Sequence, residues 1–198
     1  MEFVHRLLDK IINTAFGNDK TFQNALNSSF EYFINLNAPS PEFLSLFVDD
    51  KLRKRLKGIA DVDVEVVLDI VMMLFGYLQE KDVFEKYYKQ RLAKRLLSGK
   101  TVSDDADRSL IVKLKMVCGY QFTSKLEGMF TDMKTSKDTM RGFYGSHREL
   151  LEGPSLIVEV LTTGPWPTQP SAACNLPAEV SVLCEKFHSC YLGTHTGR

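Results

Sequence analysis

Helical periodicity constrains this chain most, and it is clearest between Glu80 and Leu97. Apolar residues recur there every four positions, at Phe84, Tyr88, Leu92 and Leu96. This spacing puts them on one face of an α-helix. Three further residues widen the apolar side: Tyr87, Ala93 and Leu97. Five cations are predicted to form the more polar side: Lys86, Lys89, Arg91, Lys94 and Arg95. The pattern predicts a helix that packs one face on a core and turns a basic face outwards.

Similar patterns predict helices through most of the first 145 residues. The expected helices cover 3–16, 22–34, about 41–57, 61–97, 103–118 and 123–145. The fourth would be one long helix, with weak points at Gly76 and at Glu80–Asp82. A helix longer than about 30 residues is typical of the spine of a helical bundle.

Local signals place several helix ends. Ser40-Pro41-Glu42 combines a capping hydroxyl, a proline at the first helical position and an acid at the positive helix end. Gly58, Gly99 and Gly119 are predicted stops. Thr135–Asp138 fits a capping box, so the helix after Gly119 is expected to bend or restart there.

The chain changes character after Pro154. Residues 156–163 are rich in β-branched side chains, with Glu159 as the one charge, and predict a strand. Gly164–Pro167 is a rigid loop that contains Trp166, and Pro177 opens a last helix. Because one strand is not stable by itself, we expect it to pair either with strands that this chain lacks or with another molecule.

Bulk composition excludes several classes of protein. Lys+Arg and Asp+Glu both number 25, so no net charge draws the chain to nucleic acid or to an anionic membrane. No signal peptide is visible at the N-terminus. The longest apolar run, residues 66–78, is shorter than the roughly 20 residues that span a bilayer. We expect a soluble intracellular protein in the cytoplasm and nucleus, without membrane or nucleic-acid partners.

The four cysteines give little indication of chemistry. Cys184, His188 and Cys190 lie close in sequence, but they lack a fourth ligand and the paired spacing of zinc sites. We therefore expect no metal, no cofactor and no catalytic residue. Two alternatives stay open: a thiol hydrolase that uses Cys184 or Cys190 with a histidine, and nucleic-acid binding by basic residues at 51–57 and 86–95.

Four segments, in order, resemble the cullin family: Lys81–Leu97, Gln121–Asp132, Val160–Pro167 and Pro177–Arg198. The resemblance covers nearly the whole chain. Phe30–Asn37 and Phe47–Arg53 are most similar to the cullin-3 subfamily, and residues 168–170 and 179–184 are plant-like.

The resemblance implies a mainly α fold with a small α+β end. Residues 1–37 would end the last N-terminal cullin repeat, 38–150 would form a four-helix bundle, and 151–198 would begin the α/β subdomain. The last part would hold its first strand or strands and a helix.

The resemblance also implies a function. Cullins are non-catalytic scaffolds of RING ubiquitin ligases in ubiquitin-dependent protein degradation, and they bind a RING-box protein through a shared β-sheet. The residues expected to bind it are Leu156, Ile157, Val158, Glu159, Val160, Leu161, Thr162 and Trp166. For Trp166, the alternative is a loop aromatic that only packs at the junction of bundle and sheet.

Parts of the family pattern are not found in this sequence. These are the N-terminal repeats that bind a BTB-type adaptor, and the C-terminal winged helix with its neddylation lysine. The first helix is expected to be about two turns shorter than the family pattern, between Asp9 and Ile11. The chain is therefore interpreted as a fragment, with a truncated, non-functional product as the alternative.

Overall fold

The computed structural model describes residues 2–55, 61–99, 104–147, 155–167 and 174–194. These residues are mainly helical, as predicted. The α-helices are α1 (Glu2–Ala15), α2 (Lys20–Asn35), α3 (Ser40–Asp50), α4 (Asp61–Gly76), α5 (Lys81–Ser98), α6 (Asp104–Cys118), α7 (Tyr120–Ser146) and α8 (Ala178–Thr194). A π-helical segment, Lys51–Arg55, continues α3.

The chain forms two compact units, Met1–Thr123 and Ser124–Arg198. The two units are defined by the contacts among their residues, and this does not test where the cullin domains begin and end. The predicted domain boundaries after residues 37 and 150 therefore stay predictions.

The predicted long helix is interrupted at its weak points. α4 ends at Gly76 and α5 begins at Lys81. The side-chain amide of Asn35 holds the connection, because its Nδ2 donates to the Tyr77 carbonyl at 2.8 Å and its Oδ1 accepts from the Gln79 N–H at 3.1 Å. A side chain 42 residues earlier thus replaces helical hydrogen bonds that the break removes.

α3 begins at the predicted place, but the Ser40 hydroxyl makes a different hydrogen bond from the one predicted. Its first residue is Ser40, followed by Pro41. The Ser40 hydroxyl does not cap α3, because it donates to the carbonyl of Ile34 at 2.7 Å. Ser40 therefore ties α3 back to the end of α2. The predicted capping role for Ser40 was wrong.

The apolar face of α5 is confirmed for its four-residue repeat, whereas Leu97, predicted to widen it, is 46% exposed. Phe84, Tyr88 and Leu92 are fully buried and Leu96 is nearly so. The rings of Phe84 and Tyr88 stack with centroids 5.7 Å apart, and Phe75 of α4 meets Phe84 edge-on at 5.1 Å. Buried aromatic pairs of this geometry contribute more than their area alone. The four-residue spacing in the sequence therefore identified the core face correctly.

The predicted basic face of α5 was wrong in one important residue. Arg95 is completely buried, although Lys94 beside it is exposed. Its guanidinium contacts Asp49 of α3 at 2.5 Å and Asp107 of α6 at 2.6 Å. Tyr88 also donates its hydroxyl to Asp107, at 2.9 Å. We call Arg95, Asp49, Asp107 and Tyr88 the Arg95 network.

In the Arg95 network, each buried charge lies beside an opposite charge. Burial alone would lower the pKa of Arg95, but the nearby charge of Asp107 and bonds to both carboxylates outweigh burial and raise it. Burial, reinforced by Asp107, raises the pKa of Tyr88 well above its ordinary value, so its hydroxyl keeps its proton. Arg53 adds a further contact to Asp49 at 2.9 Å. Buried charges are tolerated because each meets an opposite one.

α6 and α7 are separated by Gly119, whose φ of +82° suits glycine. From there α7 continues unbroken to Ser146, so the bend or restart predicted at Thr135–Asp138 was wrong. The Asp138 carboxylate, which the capping box would turn back to the Thr135 N–H, instead accepts a hydrogen bond from Arg141 at 2.9 Å.

The predicted strand over 156–163 is not confirmed. The described residues contain no β-strand, and 155–162 have no regular secondary structure. A strand is defined by pairing with another strand, whereas this segment pairs with side chains of α7. The final helix, α8, begins directly after Pro177 as predicted, and Leu183 and Phe187 are its buried residues.

Candidate functional site

The segment predicted to bind a partner lies along α7 and is held by three side chains of that helix. The first is Tyr144. Its hydroxyl accepts from the N–H of Leu156 at 2.7 Å and donates to the carbonyl of the same residue at 3.0 Å. One hydroxyl therefore satisfies both main-chain groups of Leu156.

Ser136 makes the same pair of bonds two turns earlier on α7. The hydroxyl accepts from the N–H of Val160 at 2.7 Å and donates to its carbonyl at 3.1 Å. Ser136 is buried. Since a hydroxyl both donates and accepts, it can occupy the position that a residue of a neighbouring strand would take.

Asp132 is the third of these side chains. Its Oδ2 accepts from the Thr162 N–H at 2.9 Å, from the Thr162 hydroxyl at 2.8 Å and from the Trp166 indole N–H at 2.7 Å. Asp132 and Trp166 are both buried. A carboxylate with three donors is well satisfied without a cation. Asp132 therefore fixes the end of the segment and the following loop together.

The loop itself depends on glycine and proline. Gly164 has a φ of +105°, which side-chain-bearing residues rarely adopt. Pro165 packs over Gly128 of α7, where an added Cβ would lie 3.5 Å from the proline ring. Trp166 thus packs inside its own unit, while its predicted contribution to partner binding stays a prediction.

The bonded residues follow an alternating pattern. Leu156, Val160 and Thr162 contact α7 through their main chains. In an extended chain, residues two apart direct their N–H and C=O groups to the same side. Val158 falls in this series but has no bond within the described residues. Met140, midway between Ser136 and Tyr144, has no hydroxyl to offer it.

The other edge of the segment has no partner in the part of the chain that the structure describes. It carries the main-chain N–H and C=O groups of Ile157, Glu159 and Leu161. The Ile157 side chain is 79% exposed. Oε2 of Glu159 is buried and lacks a hydrogen bond in the described structure. We call these three residues the open edge. Unpaired main-chain groups in a row are what a β-strand partner binds.

Within the described residues, neither Cys184 nor Cys190 is brought into a catalytic arrangement with a histidine. Cys190 and His147 line one cavity of about 450 Å³, but no hydrogen bond joins them within the described residues. The His147 Nδ1 instead contacts the end of α7 at the Phe143 carbonyl, 3.1 Å away. Cys184 is half-buried and His188 is exposed. Among the residues described, no cluster of three or more His, Cys, Asp or Glu side chains suits a metal ion.

In each basic region some of the described cations contact protein groups, whereas Lys86 and Lys94 are exposed. Lys51 lies over the Phe47 ring at 5.1 Å, and Arg53 pairs with Asp49. On α5, Arg91 donates to the Ser45 hydroxyl at 3.1 Å. None of the helices that the structure describes has the length and hydropathy required to cross a bilayer.

Comparison with known proteins identifies the family. The profile of the cullin alpha solenoid domain matches residues 3–140. This chain belongs to the cullin family.

Several curated cullins are similar to this chain over all or nearly all of its length. Cullin-3A of Arabidopsis thaliana is 85% identical over 204 positions that cover 100% of this chain. Cullin-3B of the same plant is 78% identical over the same share. Cullin-3 of Dictyostelium discoideum is 57% identical over 96% of the chain. The predicted kinship with plant members of the cullin-3 group is confirmed.

The chain spans only 28% of the length of either plant relative. The alignments also contain 204 positions, six more than the 198 residues of this chain. The relatives therefore have residues that this cullin lacks within the aligned region. The predicted place for such a gap, between Asp9 and Ile11, stays a prediction.

Sequence reasoning found the segment but missed the side chains that hold it. Asp132 and Ser136 are four positions apart and interrupt the apolar face formed by Met129, Phe130 and Met133. Polar residues at helical spacing inside a core face need hydrogen-bond partners. That spacing was a usable signal for a segment packed on α7.

Proposed function

We propose that this cullin is a non-catalytic scaffold segment of a RING ubiquitin ligase and binds a RING-box protein through residues 156–162. The open edge carries this proposal. One side of the segment is satisfied by α7, whereas Ile157, Glu159 and Leu161 offer main-chain donors and acceptors on the other. A strand from a partner would continue that edge by β-augmentation.

Membership of the cullin family supports the scaffold role, and the packing of the first unit supports the rigidity that a scaffold needs. The Arg95 network joins three helices, α3, α5 and α6, through buried charged contacts. A rigid support keeps two bound proteins at a defined separation, which raises their effective concentration. Membership of the cullin family also supports a role in ubiquitin-dependent degradation, with ligase components as partners.

The proposal extends to adaptors and location. We assign BTB-type adaptor binding to residues outside this chain, and we place the scaffold in the cytoplasm and nucleus. A pull-down with a BTB adaptor should therefore give no specific retention. A fluorescent fusion should appear in both compartments, and exclusion from either one contradicts the assignment.

A pull-down with a purified RING-box protein tests the central proposal. The chain should retain the partner, and Glu159→Pro should not, because proline removes an N–H from the open edge. Thr163→Pro, beyond the segment, is the matched control and should bind. If the chain fails to bind while a version extended at its C-terminus binds, the activity belongs to the longer protein. That outcome supports the alternative of a truncated product without this function.

A further inference from the structure

The inference concerns α7 and rests on the proposed binding function of the segment. We infer that Asp132, Ser136 and Tyr144 are positioning residues that pre-form the partner-binding strand. They would act as a substitute for a neighbouring strand, so that the segment is already extended and its open edge already faces outwards before a partner arrives.

The chemistry of the two hydroxyls supports this. In a hydrogen-bonded pair of antiparallel strands, one residue gives both its N–H and its C=O to one residue opposite. Leu156 does so with the Tyr144 hydroxyl and Val160 with the Ser136 hydroxyl. Alanine, phenylalanine or a carboxylate at these two positions would satisfy at most one of the two main-chain groups.

The spacing along the helix supports it independently. The pairs run in opposite directions: 156 with 144, 160 with 136, and 162 with 132. Two residues of an extended chain advance about 6.6 Å. Four residues of an α-helix advance about 6 Å. The two repeats nearly match, so side chains four apart on α7 meet every second residue of the segment.

This match also determines register. Shifting an extended segment by one residue exchanges the groups on its two edges. With the Ser136 hydroxyl bound to Val160, the open edge must carry Ile157, Glu159 and Leu161. An incoming strand therefore meets one set of donors and acceptors. Ordering the segment in advance removes part of the entropy loss on binding, which increases affinity without a direct contact to the partner.

The test deletes both hydroxyls and leaves the shapes in place. The variant is Ser136→Ala with Tyr144→Phe. The matched control removes the same two groups from exposed positions of α7, as Ser146→Ala with Tyr120→Phe. Ser136→Thr keeps a hydroxyl and should retain the behaviour of the unaltered chain. Circular dichroism verifies that the helices persist in all four proteins.

Residue-resolved amide exchange in the free chain is the first readout. Leu156, Val160 and Thr162 should be protected, and Ile157, Glu159 and Leu161 should exchange rapidly. The hydroxyl deletions should abolish protection at Leu156 and Val160, but the control should not. Uniformly fast exchange in the unaltered chain would overturn the inference, whether or not a RING-box protein binds.

Calorimetric affinity for a RING-box protein is the second readout. The hydroxyl deletions should weaken binding roughly tenfold, since both hydroxyls are lost together with the four hydrogen bonds by which they order the segment. The control and Ser136→Thr should bind like the unaltered chain. Equal affinity of the deletion variant would refute positioning and leave the proposed function intact. Absence of binding by the unaltered chain would refute the proposed function, and the exchange pattern would then decide the inference alone.

Discussion

The two compact units bury acidic side chains for different purposes. In the first, Asp49 and Asp107 surround the guanidinium of Arg95, and all three belong to helices. In the second, Asp132 contacts no cation within the described residues but accepts three hydrogen bonds from an irregular segment. The Arg95 network joins helix to helix and is closed. The Asp132 contacts join a helix to one edge of a segment whose other edge is unpaired within the described part of the chain.

If the segment binds a partner as proposed, this difference lets one chain combine rigidity with binding. A closed network of charges fixes helix register, because moving any member leaves a buried charge unpaired. A helix that satisfies only half of a segment's main chain holds that segment without using up its capacity to pair. The rigid support and the available edge of the proposed scaffold therefore both depend on buried polar contacts.

The largest effect is expected in the Arg95 network. Arg95→Ala should lower the free energy of unfolding by about 3–5 kcal/mol, because two buried carboxylates lose their cation. Lys94→Ala, at the exposed neighbouring position, should change it by less than about 0.5 kcal/mol. Denaturant unfolding followed by helical circular dichroism measures both. Equal small effects would remove the distinction between the two units.

Asp132→Ala should have the next largest effect. It removes one acceptor from three donors, at roughly 1 kcal/mol for each lost bond, so about 2–3 kcal/mol in all. Trp166 is the single tryptophan, so its fluorescence reports on this unit. We expect red-shifted emission and an earlier unfolding transition. Asp132→Asn keeps an oxygen acceptor and should be milder. Unchanged emission for Asp132→Ala would mean that the carboxylate does not hold the loop.

Gly164→Ala tests how much the backbone conformation of the loop, apart from its packing, contributes to stability. With a φ of +105° and no atom within 4 Å of the added methyl, its cost comes from the backbone alone. We expect about 1–2 kcal/mol of destabilisation. The control, Gly142→Ala on the exposed face of α7, should instead stabilise by up to about 1 kcal/mol. The same fluorescence measurement applies, and equal effects of both variants would show that the loop shape is not under backbone constraint.

The smallest effect is expected at an exposed ion cluster between α4 and α6. Ser109 donates to Glu65 at 2.7 Å, and Lys113 contacts Glu65 at 3.0 Å and Asp69 at 2.8 Å. The Ser109 bond, and then Lys113, lowers the pKa of Glu65. The stabilisation should be present above the ordinary value of 4.5 and be lost as the pH falls through the lowered pKa.

Glu65→Gln should therefore cost less than about 1 kcal/mol at neutral pH and nothing in acid. Added salt should reduce its effect further, because the cluster is exposed. Denaturant unfolding at several pH values measures this. A cost as large as that of Arg95→Ala would show that burial is not what distinguishes the networks.

Periodicity predicted what depends on local spacing. The apolar face of α5, the weak points before Lys81 and the start of α8 after Pro177 were all identified from the sequence. What it could not identify depends on distant partners. Arg95 was assigned to the basic face of α5 because the sequence does not show that Asp49 and Asp107 fold against it. The strand over 156–163 was predicted from composition, which cannot distinguish pairing with a strand from pairing with the side chains of a helix.

Amide exchange in the presence of a RING-box protein tests the central claim most directly. The open edge predicts that Ile157, Glu159 and Leu161 gain protection on binding, while Leu156, Val160 and Thr162 keep the protection that α7 already gives them. A partner that binds without slowing exchange at the first three residues, or that protects another region in their place, would contradict the account.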